Sequence, residues 1–266
     1  KRPDLVLLND DDLAYATMSL DERSVQTAID HLSKISDPLA RSLVWGAAWD
    51  QTRDADVSAS DYGDLVLRHI GSETESTTVR TTLAQLQLAA NAYVAPEKRE
   101  ITRIKVADAL WDLALEAPSG SDSQLQFATA FAAAAATPSQ WENVRALRDG
   151  ETALEGLEID TDLSWQLLVS LAAGAVIDVP DIERALAQDN TAKGGEFAAQ
   201  ARAALAGGVE RGAELGHGVV VEAGAVVGHA HDHVVAGAGR RHAHGARGEV
   251  AGVEQQVEQD LAELVA

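Results

Sequence analysis

The sequence predicts an all-α fold, an α-solenoid or bowl of antiparallel helical hairpins, on three observations. From Asp21 to Leu205 apolar residues recur about every 3.6 positions. Side-chain caps and prolines mark helix starts along that whole stretch. The connections between these marks are short, as they are between antiparallel neighbours. Hairpins that cannot bury their apolar stripes alone stack on one another, in the manner of HEAT or armadillo arrays. No fixed-period repeat is present, so the stacking rests on the succession of helices.

The exception comes first in the chain. Leu5–Leu8 and Leu13–Leu20 are apolar-rich runs separated by Asn9-Asp10-Asp11-Asp12, residues that accept turn geometry and bond their own backbone. The pattern predicts a β-hairpin within residues 1–20. Helix starts then follow in order. Asp37-Pro38 places a side-chain acceptor ahead of a proline whose missing N–H costs nothing at the first helical position. Thr137-Pro138 repeats the device with Gln140 completing a capping box, and Ser121 with Gln124 predicts another. Pro96 and Pro180 punctuate in the same way, while Gly71, Gly120, Gly150 and Gly194-Gly195 mark breaks.

About ten helices fit between these marks. Over Val79–Val94, the residues Val79, Leu83, Leu86, Ala90 and Tyr93 form one apolar stripe, so one face is buried. Over Leu39–Thr52 the apolar residues Leu39, Leu43, Val44, Trp45, Ala47, Ala48 and Trp49 go nearly round the helix. That segment is expected at the centre of the first helical layer.

Near Ala206 the composition changes. Residues 207–266 contain no aromatic residue, no Lys and no Pro, and hold all the histidines except His31 and His69. So much Gly and so little bulky apolar content does not readily offset conformational entropy. The expectation is a low-complexity tail, frameshifted or disordered, with helical spacing only at Val253, Val257, Leu261 and Leu264.

A net charge of -21 repels phosphates and anionic bilayers, so neither nucleic acid nor membrane is an expected partner. The absence of Cys removes disulfides, thiolate metal sites and cysteine nucleophiles, and fits a cytoplasmic location. The opening Lys1-Arg2-Pro3-Asp4 has no initiator Met and no signal-type apolar run behind it, so the chain is expected to start within a longer protein.

The string Leu5-Val6-Leu7-Leu8-Asn9-Asp10-Asp11-Asp12-Leu13-Ala14-Tyr15-Ala16, followed by Leu20-Asp21-Glu22-Arg23-Ser24, resembles the junction between β-sandwich and C-terminal helical domains in actinobacterial aminopeptidase N. Ala47-Ala48-Trp49-Asp50-Gln51-Thr52-Arg53-Asp54-Ala55, Glu151–Leu163 and Asp189-Asn190-Thr191-Ala192 resemble further pieces of that family in the same order. The likeness covers about residues 3–205. It implies a zinc-dependent metallo-aminopeptidase of the gluzincin type, acting on peptide N-termini with zinc held by an H-E-x-x-H helix and a downstream Glu. It also implies a G-x-M-E-N loop that grips the free amine. Neither motif is in this chain: no His precedes Glu, and Met18 lies in no such string. On this reading residues 1–20 end a preceding β-sandwich domain, 21–206 are an incomplete helical domain, and 207–266 are the tail. The helical domain covers the active-site chamber and limits substrate access, its partners being peptide substrates and the missing catalytic domain. The chain alone is expected to be inactive, with no catalytic, cofactor-binding or metal-ligating residue of its own. The competing reading is a stand-alone helical-repeat scaffold for protein partners.

Asn9–Asp12 is acidic enough for calcium, but lacks the spread ligands, central Gly and closing Glu of an EF-hand, and reads as a turn. His229, His231 and His233, with His242 and His244 nearby, alternate as metal ligands do, yet Ala230 stands where a zincin needs Glu. Trp45, Trp49, Trp111, Trp141 and Trp165 read as core rather than peptide-binding residues. Arg53 and Arg103 suit a substrate carboxylate but more commonly form surface ion pairs.

Overall fold

The computed structural model describes residues 2–13, 16–151 and 154–215, with side chains described as far as Val209. Ten α-helices account for most of them: α1 (Glu22–His31), α2 (Pro38–Arg53), α3 (Ala59–His69), α4 (Ser76–Leu88), α5 (Pro96–Glu116), α6 (Asp122–Ala134), α7 (Pro138–Asp149), α8 (Thr161–Ala173), α9 (Val179–Gln188) and α10 (Ala192–Leu215). The all-α architecture is as expected.

The caps explain where the helices begin. Asp21, Asp37, Ser58, Ser121, Thr137, Asp160 and Asp178 each accept an N–H from the first turn of the helix that follows. Each cap satisfies a donor that helix geometry leaves over. The Thr137–Gln140 box is complete. At Ser121 the box is half formed, because Gln124 Oε1 takes the Gly120 N–H at 2.9 Å instead. Gly150 ends α7 in the left-handed region, at φ 74°. Gly194 and Gly195 sit in the first turn of α10 rather than at a break, and a Cβ on Gly194 would collide with the Asp189 carbonyl.

The helices form two layers. Along one, α2, α4, α6, α8 and α10 touch in series; in the other, α1, α3 and α5 do the same. Consecutive pairs α3–α4, α5–α6, α7–α8 and α9–α10 pack as hairpins, which is the stacking the helix succession implied. α8 is the wall between two cores. Its Leu163, Leu167 and Leu171 join the larger cluster with Trp45, Tyr62, Phe127 and Phe131, while its Trp165, Leu168 and Ala172 join Ile182, Ala198 and Ala201.

The β-hairpin is not there: no described residue is in a strand. The backbone groups that a hairpin would pair internally are taken by helix side chains. The Val6 N–H donates to Ser24 Oγ at 3.1 Å, and the Asp4 carbonyl accepts from the Thr27 hydroxyl at 2.8 Å. Leu20 is clamped on both sides by the Gln51 amide, its N–H donating at 2.9 Å and its carbonyl accepting at 3.0 Å. Asp10–Asp12 is a 3-10 turn in which Asp11 and Asp12 have φ of 64° and 51°. Asp enters the left-handed region more readily than most residues because its short side chain bonds locally, as Asp12 Oδ1 does in accepting from the Asn9 amide at 3.0 Å.

Two expectations about helix faces also change. Tyr93 is 45% exposed, because α4 ends in a π turn over Ala89–Tyr93, where the Val94 N–H bonds back to the Ala89 carbonyl. The extra residue per turn rotates Tyr93 off the buried stripe. Leu39, in the first turn of α2, is exposed as well, although the helix is otherwise buried on most sides. The expected change at Ala206 does not interrupt α10, which continues to Leu215. The rest of the predicted tail, including the histidine run and Val253–Leu264, lies outside the described residues.

Candidate functional site: the Arg41–Glu73 bridge and the α3–α5 cleft

The strongest electrostatic feature begins with a charged residue in a helix interior. Arg41, in the first turns of α2, is buried, and so is Glu73 in the turn ahead of α4. The guanidinium grips the carboxylate with both arms, Nε to Oε2 at 3.0 Å and Nη2 to Oε1 at 2.8 Å. Its other protons reach the Ile35 carbonyl at 2.9 Å, the Ser36 carbonyl at 3.1 Å and Thr74 Oγ1 at 3.3 Å. Trp45 Nε1 donates to Glu73 Oε2 at 3.1 Å and the Thr74 N–H to Oε1 at 2.8 Å. Every guanidinium proton is therefore used.

Burial by itself pushes the Glu73 carboxyl up, but hydrogen bonds from Arg41, Thr74 and Trp45 and the Arg41 charge hold it down at about 2. The same carboxylate raises Arg41 by hydrogen bonding, against its burial. Both oxygens of Glu73 are enclosed by donors, so this carboxylate has no lone pair aimed at a substrate. The bridge ties the Ile35–Ser36 turn, α2 and the turn before α4 together, and its role is structural.

His69 is closed in the same way. Nε2 donates to the Ile29 carbonyl at 2.8 Å, and Nδ1 accepts from the Ser33 hydroxyl at 3.2 Å, which ties α3 to α1. Tyr62, whose ring is buried against Trp49 at 5.4 Å, donates its hydroxyl to Gln85 Oε1 at 2.8 Å, and burial pushes it up.

One shallow cleft lies where α3, the π turn and α5 meet, floored by Gly63, Leu67, Leu86, Ala89, Ala90 and Val106. The Asp64–Lys105 ion pair, 2.8 Å long, stands at its edge. Its volume, about 100 Å³, holds one small side chain and falls well short of sites that enclose a ligand.

The sequence-selected residues do not converge. Asn9–Asp12 is the turn described above. Trp45, Trp49 and Trp165 are buried in the cores; Trp111 packs on Phe131 at 4.7 Å, and Trp141 is half-buried beneath Gly174. Arg53 pairs with Asp50 at 3.6 Å on the surface. Among the described residues no group of three or more His, Cys, Asp or Glu side chains is placed to hold a metal ion. His69 has both ring nitrogens engaged, so the described residues do not fit a zinc site.

The sequence profile of the ERAP1-like C-terminal domain matches residues 5–207. The chain belongs to that family. An aminopeptidase N of Streptomyces lividans is 42% identical over 203 residues, which are 76% of this chain and 24% of that protein. The chain thus spans about a quarter of the curated relative's length. The aminopeptidase N resemblance read from Leu5–Ala16, Ala47–Ala55 and Asp189–Ala192 falls within the matched residues. The ERAP1-like domain match ends at 207, beside the compositional change at Ala206.

Sequence reasoning missed Arg41, Glu73, Gln51 and His69 as structural anchors. The signal for Arg41 was present, since it stands in the first turns of a helix apolar on most sides and needs a buried partner there. Nothing in the sequence pointed to Glu73 as that partner, 32 positions away.

Proposed function

We propose that this chain acts as the non-catalytic helical domain of a zinc-dependent aminopeptidase, covering the active-site chamber and limiting which peptides reach it. One observation carries the reading: residues 5–207 match the ERAP1-like C-terminal domain, and 203 residues of the chain are 42% identical to an aminopeptidase N. A stack of capped helices tied at one end by the buried Arg41–Glu73 bridge is suited to a rigid wall, and a wall acts on access rather than on the chemical step. Zinc and the groups around it belong, on this reading, to the part of such an enzyme outside the matched quarter. Residues 1–20 form the junction to a preceding β-sandwich domain, and the helical domain follows from residue 21 through the compositional change at Ala206 into the rest of α10, with a foreign tail beyond it. The enzyme works in the cytoplasm.

Two measurements test this. The purified chain with added zinc should not hydrolyse an aminoacyl chromogenic substrate, and chelator-sensitive turnover would refute its non-catalytic role. Residues 5–207 placed in the Streptomyces lividans enzyme, in exchange for the matching segment, should retain peptide hydrolysis and exclusion of folded proteins. Hydrolysis of folded proteins by that chimera would refute the access role.

A further inference from the structure

We propose that the cleft between α3, the π turn and α5 binds a free aliphatic amino acid, with its side chain in the cleft and its two charges on Asp64 and Lys105. The proposal rests on the reading above for its source of ligand, since an aminopeptidase releases such molecules. π turns recur at functional sites, and this one, Ala89–Tyr93, forms a wall of the cleft. Ala59, Gly63, Ala89 and Ala90 meet there, and their small size leaves open a space of a kind that packed interiors rarely keep.

Size selects the side chain. A dry cavity of about 150 Å³ lined by Leu, Ile and Phe takes up benzene, so about 100 Å³ suits a smaller branched aliphatic group. Leu67 and Leu86 make the floor apolar, and the head group of the ligand stays outside at the lip.

Charge selects the head group. Lys105 Nζ donates to Asp64 Oδ1 at 2.8 Å, and the two side chains are 65% and 49% exposed. Exposed pairs are ordinary, but this one stands at the edge of an apolar cleft. Among the described residues the other Asp64 oxygen and the remaining Lys105 protons bond to nothing. An ammonium can therefore reach Asp64, and a carboxylate Lys105, without breaking the pair. A free amino acid carries both charges on the carbon that bears its side chain. A peptide has only one of them beside its terminal side chain, and a fatty acid or an alkyl amine leaves Asp64 or Lys105 unmatched.

Gly63 provides the blocking variant. A Cβ there meets only Leu86 Cδ1, at 3.9 Å, so a side chain can enter the cleft without collision. The experiment titrates the isotopically labelled full chain with L-leucine and follows its amide resonances, in the millimolar range that so small a ligand implies. Saturable shifts should appear at Gly63, Ala90 and Lys105. 4-Methylpentanoate and 3-methylbutylamine, which each lack one charge, should bind at least about fivefold more weakly, and glycine should leave these amides unshifted. Gly63→Leu, which fills the cleft from within, should abolish the saturable shifts. Asp64→Asn and Lys105→Gln, on exposed side chains that the fold does not need, should each raise Kd at least about fivefold. No saturable shift with leucine, equal affinity for the one-charge analogues, or binding undiminished in the variants overturns the site. Those outcomes leave the functional reading standing, because the chimera tests it separately. Hydrolysis of folded proteins by that chimera overturns the reading and does not change the titration.

Discussion

At the α2–α4 end, helices are joined through a buried ion pair, Arg41 with Glu73, that reaches two turns and the Trp45 indole. At the α8–α10 end no such bridge exists among the described residues. There Trp165, Ala172, Ala198 and Ala201 form a small core, and Gly208 lets α10 approach the Ala172 and Ala173 carbonyls directly. One end depends on a few directional bonds between large side chains, the other on small residues that keep backbones close. The two ends should fail under opposite substitutions: loss of a partner at the first, addition of a methyl group at the second.

The largest effect is expected at the bridge. Glu73→Gln leaves the Arg41 charge uncompensated, and Arg41→Met strands the Glu73 carboxylate among donors. Each should lower unfolding free energy by about 3–5 kcal/mol in urea titrations. Replacing both, Arg41→Met with Glu73→Leu, should cost clearly less than the two single changes added together, since no charge is left unpaired. Single changes below about 1 kcal/mol would remove the bridge as the organiser of this end.

These two ends were not equally legible in the sequence. Helix starts could be read because capping is local: Asp37-Pro38 and Thr137–Gln140 carry their own chemistry within four residues. The Gly150 stop was readable for the same reason. The bridge was not, because Glu73 finds Arg41 across 32 positions and looks like any loop carboxylate until the chain folds. The predicted hairpin failed through the same long-range effect. Leu5–Leu8 and Leu13–Leu20 have hairpin spacing, yet Ser24 and Gln51 bind the backbone a strand partner would have taken. Tyr93 was misplaced because a π turn leaves no mark in the pattern of apolar residues. The family was legible from uncommon strings such as Ala47–Ala55, whereas the absence of a metal site among the described residues gave pattern reading nothing to find.

A smaller effect separates the ends by pH. Glu73 has a folded value of about 2 against an ordinary 4.5, so the unfolded chain binds the proton more readily over that interval. Stability from this group is fully present above pH 4.5 and is lost as pH falls toward 2. The full loss is roughly 3 kcal/mol, with about half of it gone by pH 3. The difference in unfolding free energy between wild type and Glu73→Gln should shrink accordingly from pH 5 to pH 3. A difference that stays constant would mean the carboxylate is not held in its charged form by the bridge.

The smallest effects come from methyl groups, and their sign is the informative part. In a helix Gly→Ala ordinarily stabilises by about 0.5–1 kcal/mol, by removing backbone freedom from the unfolded chain. Gly46, exposed on α2 with nothing within 4 Å of a new Cβ, should show that gain. Gly208 should not. A Cβ there would stand 2.6 Å from the Ala173 carbonyl oxygen and 3.0 Å from that of Ala172, neither of which can move without disturbing the end of α8. Gly208→Ala should therefore destabilise by about 1–3 kcal/mol, the usual cost of overpacking. The pair also probes the compositional change at Ala206, since Gly208 lies just past it. A loss at Gly208 shows that the packed helical domain extends beyond that change. A gain equal to that at Gly46 would show instead that α10 is free of α8 at this point, and that close packing ends before the change in composition.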